Sequence, residues 1–232
     1  MSSNNAPQVI VITGAAGGLG RVVADAFAGP GAHLVLVDVP GAPLPASDAN
    51  RTAVAVNLTD ADATQKALQA VFDRVGPAQV LCNIAGGFTM GLAVHETPPQ
   101  TWEQMVDLNV NTLINASRAV VPGMLAAGRG KIVNVAAASA TSGKAAMGPY
   151  VFTKSGVARL TETMALELRE RGINVNAVAP SIIDTPANRK AMPDADPQRW
   201  VAPSALAAVI RFLASDAASA VHGAVIPVVG LS

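Results

Sequence analysis

The chain has 232 residues, of which half are hydrophobic, 14% are charged and only 3% are aromatic, and its formal net charge at pH 7 is zero. This length suits one good-sized α/β domain, whose core must be filled mainly by Ala, Val, Leu and Ile. A neutral chain without a basic block is not expected to bind nucleic acid or an anionic membrane surface.

The scarce residue types argue against several kinds of site. Cys82 is the only cysteine and stands in an apolar run, which excludes an intrachain disulfide and predicts a buried strand thiol. The three histidines are scattered, so we predict no metal site. Residues 1–7 lack the charged and apolar regions of a signal peptide, and no apolar run approaches the roughly 20 residues that span a bilayer. We expect a cytoplasmic protein without membrane association.

Short apolar runs alternate with stretches of helical periodicity along the chain. Runs without polar alternation are typical of parallel strands that are covered on both faces. The predicted strands are residues 9–13, 33–38, 52–57, 79–84, 131–136, 174–179 and 224–229. The predicted helices are residues 19–29, 60–75, 101–125, 150–171 and 204–214, the third starting at a Thr-Trp-Glu-Gln capping box. This order predicts a single Rossmann-type doubly wound α/β domain over residues 1–232, with about seven parallel strands and helices on both faces.

A glycine-rich loop joins the first predicted strand to the first predicted helix. Gly14, Gly18 and Gly20 allow the backbone to approach a pyrophosphate, which also meets the N–H groups at the helix start. Such a loop alone is weak evidence, because a tight turn also needs glycine. The strand before it and the helix after it strengthen the prediction of dinucleotide binding.

The second predicted strand ends at Asp38. A carboxylate there would accept hydrogen bonds from the adenosine ribose and would repel a 2′-phosphate. No Arg or Lys follows before Arg51, so the sequence favours NAD over NADP. The alternative is that Asp38 merely caps a loop.

Tyr150 and Lys154 are four residues apart at the start of a predicted helix, and therefore share one face. A proton donor on the same chain as a dinucleotide loop indicates a redox enzyme acting on a small-molecule substrate.

Five ordered motifs resemble those of the short-chain dehydrogenase/reductase family, over nearly the whole chain. They are Thr-Gly-Ala-Ala-Gly-Gly-Leu-Gly at residues 13–20, Asn83-Ile84-Ala85-Gly86, Asn109, Tyr150 with Lys154, and residues 180–185. A single Tyr-x-x-x-Lys pair would be weak evidence, whereas five motifs in order are specific.

The resemblance implies a role for each matching residue. Tyr150 would be the general acid in reduction and the base in oxidation, and Lys154 would lower the pKa of Tyr150 and hold the nicotinamide ribose. Asn109 would open its helix around a water and so complete a proton relay. The implied cofactor contacts are Gly14, Ala16, Gly17, Gly18, Leu19, Gly20, Asp38, Asn57, Leu58, Asn83, Ala85, Gly86, Tyr150, Lys154, Pro180, Ile183 and Thr185. The two long helices would form the interface of a homotetramer or homodimer.

Two positions depart from the family pattern. Ala137 occupies the place of a serine that donates a hydrogen bond to the substrate carbonyl, and removing one such donor costs about 3–4 kcal/mol of transition-state stabilisation. Ser139 would face the same side if the strand continued, and we name it as a candidate replacement. Ser181 stands where the family usually has glycine after proline.

One branch of the family, quinonoid dihydropteridine reductase, also has alanine at the serine position. Residues 184–196, with Trp200 beyond them, resemble its substrate-side segment, and Phe88 stands where it has tryptophan. Phe88 would then stack on a flat heterocycle. The alternatives are that Phe88 is pocket packing and residues 188–196 are a common loop, or that the protein binds a dinucleotide with weakened catalysis.

Overall fold

The computed structural model describes residues 7–232, which form one α/β domain around a seven-stranded parallel sheet. The strands are β1 Gln8–Thr13, β2 Ala32–Asp38, β3 Arg51–Ala55, β4 Val80–Asn83, β5 Gly130–Val135, β6 Ile173–Pro180 and β7 Val225–Val228. The helices are α1 Gly18–Phe27, α2 Ala61–Val75, α3 Pro99–Val106, α4 Thr112–Ala127, α5 Gly148–Leu168, α6 Pro186–Ala191 and α7 Pro203–Leu213. The predicted fold class is confirmed. Residues 1–6, on which the signal-peptide expectation partly rested, lie outside the described residues.

The strand order is β3-β2-β1-β4-β5-β6-β7. Strands β1 to β3 are therefore added in one direction across the sheet and β4 to β7 in the other, and the order switches between the neighbours β1 and β4. Loops that leave neighbouring strands in opposite directions at this point open a crevice at the carboxyl edge of the sheet. This topology places the loops after β1 and β4 side by side, and the candidate site is built from them.

The sheet is buried on both faces because successive side chains of a strand point to opposite sides. Val9 and Val11 of β1 belong to a core shared with α2, α4 and α5, whereas Ile10 and Ile12 belong to a second core shared with α1 and α7. Both cores are almost entirely aliphatic, as the low aromatic content predicted.

Cys82 lies at the centre of β4 and is fully buried. Burial raises the pKa of its thiol to about 12, because the surrounding apolar side chains disfavour the thiolate. The prediction of a buried strand cysteine is confirmed.

The predicted helix 101–125 is divided in the structure into α3, a π-helical turn at Asp107–Asn111, and α4. The predicted capping box is wrong. The helix begins at Pro99, and no side chain caps it, because the N-cap residue is Pro98, which has no side-chain oxygen to accept an N–H of the first turn.

Two further segments differ from the prediction. Strand β5 ends at Val135, and a 3₁₀ turn follows at Ala138–Thr141. Helix α6 was not predicted, since a single short helix gives little periodic signal. Within residues 7–232, no helix has both the length and the hydropathy to cross a membrane.

Candidate active site

A cleft of about 500 Å³ opens at the carboxyl edge of the sheet, over β1 and β4. The predicted cofactor residues that line it are Gly14, Ala16, Gly17, Gly18, Leu19, Gly20, Asp38, Asn57, Leu58, Ala85 and Gly86. The cleft is completed by Ile84, which belongs to the predicted Asn83–Gly86 motif, and by residues that the sequence did not single out, namely Val39, Thr59, Leu108 and Thr112. The structure therefore brings together segments from five separate parts of the chain.

The glycine-rich loop is shaped by close backbone packing. Gly14 has a φ of +63°, and a Cβ there would lie 2.9 Å from the backbone of Ala85. A Cβ on Gly20 would lie 2.1 Å from the carbonyl oxygen of Gly14. No side chain caps the first turn of α1, which starts at Gly18. The floor of the cleft is thus bare backbone with N–H groups at a helix start, which suits a phosphate-bearing ligand.

Thr13 fixes the second loop of the cleft against the first. Its Oγ1 accepts hydrogen bonds from the backbone N–H groups of Ile84 at 3.0 Å and Ala85 at 3.1 Å. Sequence reasoning placed Thr13 in the motif but gave it no role. The only available signal was its position as the last residue of β1.

Asp38 is the one ionisable residue in the lining described above. Its Oδ2 accepts a hydrogen bond from Ala16 N at 2.8 Å, and its Oδ1 accepts one from Val39 N at the same distance. The carboxylate therefore ties the glycine-rich loop to the end of β2 while facing the cleft. The hydrogen bond from Val39 N is the loop cap that the sequence offered as an alternative role for Asp38. The carboxylate makes this bond and also faces the cleft.

The segment that closes the far side of the cleft is held by Asn115 of α4. Its Nδ2 donates to the carbonyl oxygens of Leu58 at 2.9 Å and Thr59 at 3.3 Å. Asn57 Oδ1 accepts from the Thr59 N–H at 3.1 Å, which forms a tight turn. Asn115 was missed by sequence reasoning, although a polar residue on the buried face of a helix is a usable signal.

Lys154 is almost completely buried, with 6% of its surface exposed. Its Nζ donates a hydrogen bond to the carbonyl oxygen of Val135 at 2.8 Å. Burial lowers the pKa of Lys154 to about 8 and raises the pKa of Tyr150 to about 12. Burial of the phenol is the cause of the raised pKa of Tyr150, and the expected lowering of that pKa by the charge of Lys154 stays a prediction.

Asn109 lies in the π-helical turn and faces the same point as Lys154. Its Oδ1 accepts from Gly87 N at 2.9 Å, and its Nδ2 lies within bonding distance of Gly87 O at 3.1 Å and Thr153 Oγ1 at 3.2 Å. A Cβ on Gly86 would lie 2.7 Å from Asn109 Oδ1 and 3.2 Å from Lys154 Nζ. The two predicted relay groups thus converge on Gly86, a residue of the cleft. The opened helix is present, while the water-mediated relay stays a prediction.

Phe88 packs edge to face on the Tyr150 ring, with centroids 4.8 Å apart and an interplanar angle of 74°. More than half of its surface, 58%, is exposed. This contact fixes the orientation of the Tyr150 ring and leaves one side of Phe88 open beside it.

The expected carbonyl-binding serine is absent, and its place is held by Ala137, a buried residue after β5. The Ser139 hypothesis required the strand to continue, but Ser139 lies in the 3₁₀ turn Ala138–Thr141. The extended geometry behind that hypothesis is therefore wrong. The backbone turns before Ser139, so its side chain is not placed on the same face of a strand as Ala137.

Besides Tyr150 and Lys154, four predicted cofactor residues do not line the cleft. Asn83 is buried and donates from Nδ2 to Asn134 Oδ1 at 2.9 Å. Pro180 ends β6, and Ile183 packs against the second core. Thr185 comes closer, since its Cγ2 lies 3.1 Å from the place of a Cβ on Gly18. Thr185 therefore lies beside the glycine-rich loop, whereas the Asn83 side chain points to Asn134 in β5.

Comparison with known proteins decides the family. A family model described as short chain dehydrogenase matches residues 8–196. The chain belongs to this family. This short chain dehydrogenase is 32% identical to the 3-oxoacyl-(acyl-carrier-protein) reductase FabG of Thermotoga maritima, with 96% of each chain covered. It is 37% identical to galactitol 2-dehydrogenase (L-tagatose-forming) of Cereibacter sphaeroides, over 94% of this chain and 92% of that protein.

Solved structures share the same architecture. Levodione reductase superposes with a TM-score of 0.88 at 29% identity, covering 96% of both chains. Gluconate 5-dehydrogenase from Burkholderia cenocepacia, in complex with NADP and tartrate, gives 0.86 at 26% identity over 96% of this chain and 94% of that chain. Carveol dehydrogenase from Mycobacterium avium, in complex with NAD, gives 0.84 at 26% identity over 99% and 98%. The short chain dehydrogenase is therefore similar to proteins solved with either dinucleotide.

Proposed function

We propose that this short chain dehydrogenase is an NAD(H)-dependent oxidoreductase that interconverts a small carbonyl compound and its alcohol, with Tyr150 as the acid/base. The observation that supports this most directly is the convergence of Lys154 Nζ and Asn109 Oδ1 on Gly86. Gly86 lines the glycine-rich cleft, and Lys154 is one helical turn from Tyr150. A cofactor cleft and a proton-transfer group thus meet at one backbone position.

The residues of the cleft fit a nicotinamide dinucleotide. Bare backbone at Gly14 and Gly20 would receive the pyrophosphate, and Asp38 would accept hydrogen bonds from the adenosine ribose. Lys154 would hold the nicotinamide ribose, with Ile183 and Thr185 near the carboxamide. The dinucleotide would give a hydride to the substrate carbon in reduction and would accept one from it in oxidation.

The choice of NAD over NADP rests on charge. Among the lining residues described above, Asp38 carries the one charge and Val39 follows it as an apolar neighbour. A 2′-phosphate placed there would meet a carboxylate without a cation to offset it. One similar structure was solved with NADP and another with NAD. The preference for NAD is therefore argued from the residues of this chain alone.

The protein groups account for the proton. In reduction, the Tyr150 hydroxyl gives its proton to the oxygen that becomes the alcohol, and in oxidation it takes that proton back. A pKa raised to about 12 keeps Tyr150 protonated at neutral pH, which is the donating form. Lys154, with a pKa of about 8, is mostly cationic at neutral pH and stabilises the phenolate left by the transfer.

A quinonoid dihydropteridine reductase activity is the second candidate. The lack of a hydroxyl at Ala137 and the open side of Phe88 beside Tyr150 favour it. A conjugated, electrophilic ring system needs less polarisation than a simple ketone and offers a flat surface to Phe88. A protein that only binds a dinucleotide is less favoured, since such a protein would have no use for the Tyr150, Lys154 and Asn109 arrangement.

The proposed assembly is a homotetramer or homodimer formed through α4 and α5. Ile114, Phe152 and Leu166 of these helices are exposed apolar residues, whereas Val157 and Leu168 belong to the core. Light scattering should give a dimer or tetramer, and a clear monomer would refute the assembly. The cytoplasmic location stays a prediction from sequence.

The decisive experiment compares wild-type protein with Tyr150→Phe in NADH oxidation. A panel of ketones, aldehydes and ketoses is used together with quinonoid dihydropterin generated in situ. We expect turnover to fall by about 10²–10⁴-fold, because the general acid is lost, while NADH binding changes less than about two-fold. Phe212→Leu, an exposed aromatic position on α7, serves as the control and should keep full turnover. Equal turnover in wild type and Tyr150→Phe would contradict the proposed role.

A further inference from the structure

Residues 229–232 lie against the base of the segment that follows β6. Leu231 N donates to Arg199 O at 3.0 Å, and Arg199 Nη2 donates back to Leu231 O at 2.8 Å. Gly230 lies between them with a φ of +59°, and a Cβ there would be 3.1 Å from Arg199 O. This two-way pairing joins the end of the 184–199 segment to a different part of the chain.

The start of the same segment is joined to residues 229–232 by Ser181. Its N–H donates to Val228 O at 3.1 Å, which extends the β6–β7 pairing by one residue. Its Oγ donates to Val229 O at 2.8 Å and lies 2.8 Å from Ser232 Oγ. The hydroxyl that replaces the family's usual glycine hydrogen therefore has a structural partner. We call Ser181, Arg199 and residues 229–232 together the clasp.

A backbone pairing carries this restraint to the cofactor cleft. Val201 N donates to Ile182 O at 2.8 Å, and Asp184 N donates to Val201 O at 2.9 Å. The next residue, Thr185, has its methyl group beside Gly18 of the glycine-rich loop. Both ends of the 184–199 segment are thus fixed at the clasp, and its first residues are packed against the place proposed for the cofactor.

We infer that Ser181 and Arg199 are positioning residues, which act through residues 229–232 to hold the 184–199 segment over the dinucleotide and substrate. The inference rests on the proposed function for its kinetic consequences, although the restraint itself is a property of the free protein. A segment that is already in place loses less conformational freedom on binding. The clasp therefore sets the dinucleotide Kd and the substrate KM, while the proton-transfer step at Tyr150 is left alone.

The test uses Ser181→Ala and Arg199→Leu, with Arg199→Lys as the conservative variant. Ser215→Ala and Arg74→Leu are matched controls, because each removes an exposed side chain that donates to a backbone carbonyl elsewhere. NADH Kd is measured by fluorescence, kcat and KM with the best substrate of the panel, and segment mobility by the rate of tryptic cleavage after Arg189 and Lys190, which are exposed in α6.

We expect Arg199→Leu to raise the NADH Kd, the KM and the cleavage rate by roughly five-fold each, the scale of one or two hydrogen bonds at the surface, with kcat unchanged. Ser181→Ala should show the same pattern at roughly two- to three-fold, and Arg199→Lys should recover part of the loss. Values equal to those of the two controls would overturn the clasp, as would a fall in kcat without a change in Kd or cleavage.

The tryptic readout keeps this test separate from that of the proposed function. If wild-type protein turns over nothing in the panel, faster cleavage in Arg199→Leu and Ser181→Ala still supports the clasp. If turnover is rapid and depends on Tyr150 while cleavage is unchanged in these variants, the proposed function stands and the clasp is rejected.

Discussion

The side of the cleft proposed for the dinucleotide and the side proposed for the substrate are built in different ways. On the dinucleotide side, the surface is backbone from the loops after β1 and β4, held by short polar contacts such as Thr13 to Ala85. The segments proposed to shape the substrate side are turns and short helices, including Ala138–Thr141 and α6. The first kind of surface is fixed by local sterics, whereas the second depends on contacts between distant parts of the chain.

This difference predicts how each side responds to substitution. A backbone cradle should not tolerate even one added methyl group, because there is no side chain that can move away. A side-chain surface should accept substitution and change its preference for substrate instead. The following experiments test these two expectations, starting with the largest effect.

Gly20→Ala should be the most damaging change on the dinucleotide side. The added Cβ would lie 2.1 Å from Gly14 O, so the loop must shift, at about 3 kcal/mol or more in the free energy of unfolding. Chemical denaturation and NADH titration measure the two effects. Gly29→Ala is the control, since nothing lies within 4 Å of its Cβ position and its stability should change little. Equal stability of the two variants would show that the loop is not a rigid cradle.

Ala137→Ser restores the hydroxyl that the substrate side lacks. We expect kcat/KM for a simple ketone to rise by roughly 100-fold, because one donor to the carbonyl oxygen is worth that much in related sites. Steady-state kinetics with ketone and dihydropterin substrates measure the change, with Ala138→Ser as the neighbouring control. An unchanged or lower ketone rate would mean that the site is shaped for a substrate that needs no such donor, and would favour the pterin candidate.

Lys154→Met should separate stability from catalysis. The pKa of Lys154 is lowered from 10.5 to about 8, so the folded state binds this proton less well than the unfolded state. The variant should therefore be more stable than wild type by about 3 kcal/mol below pH 8 and yet nearly inactive. The difference should shrink as the pH rises from about 8 towards 10.5, where both states lose the charge. Denaturation midpoints at pH 7 and pH 10 measure it, and a less stable variant at pH 7 contradicts it.

Asp38→Ser should give the smallest effect, because the serine hydroxyl keeps part of the contact to Ala16 N. We expect NADH affinity to fall and NADPH affinity to rise, so that their ratio changes by about tenfold. Removal of the negative charge is the reason. Fluorescence titration with both dinucleotides measures the ratio. An unchanged preference would show that another residue selects the cofactor.

The sequence was informative where function depends on local pattern. Glycine spacing in residues 13–20 and the apolar strands predicted both the fold and the lining of the cleft, because parallel strands and tight turns leave few choices of residue. Asn109 was placed in a helix that opens, and the π-helical turn is present. These features follow from neighbours along the chain.

The sequence was less informative where partners are distant. Asn115 holds Leu58 across the cleft, and Ser181 holds Val229, although nothing along the chain links these pairs. Ser139 was misplaced because the end of β5 depends on how the following turn packs. The rise in the pKa of Tyr150 was not foreseen for the same reason, since the burial of its ring depends on Phe88 and other tertiary neighbours.

Cys82 also allows global unfolding of the protein to be followed by thiol labelling. The thiol sits in the central β4, paired in register with Ile12 on one side and Val133 on the other. It is the chain's only cysteine, and a thiol with a pKa of about 12 does not react with a labelling reagent at neutral pH while it stays buried. Labelling at a reagent concentration high enough to outpace reclosing therefore counts global opening events, without a probe or an introduced residue. Local motion of the 184–199 segment would leave that count untouched.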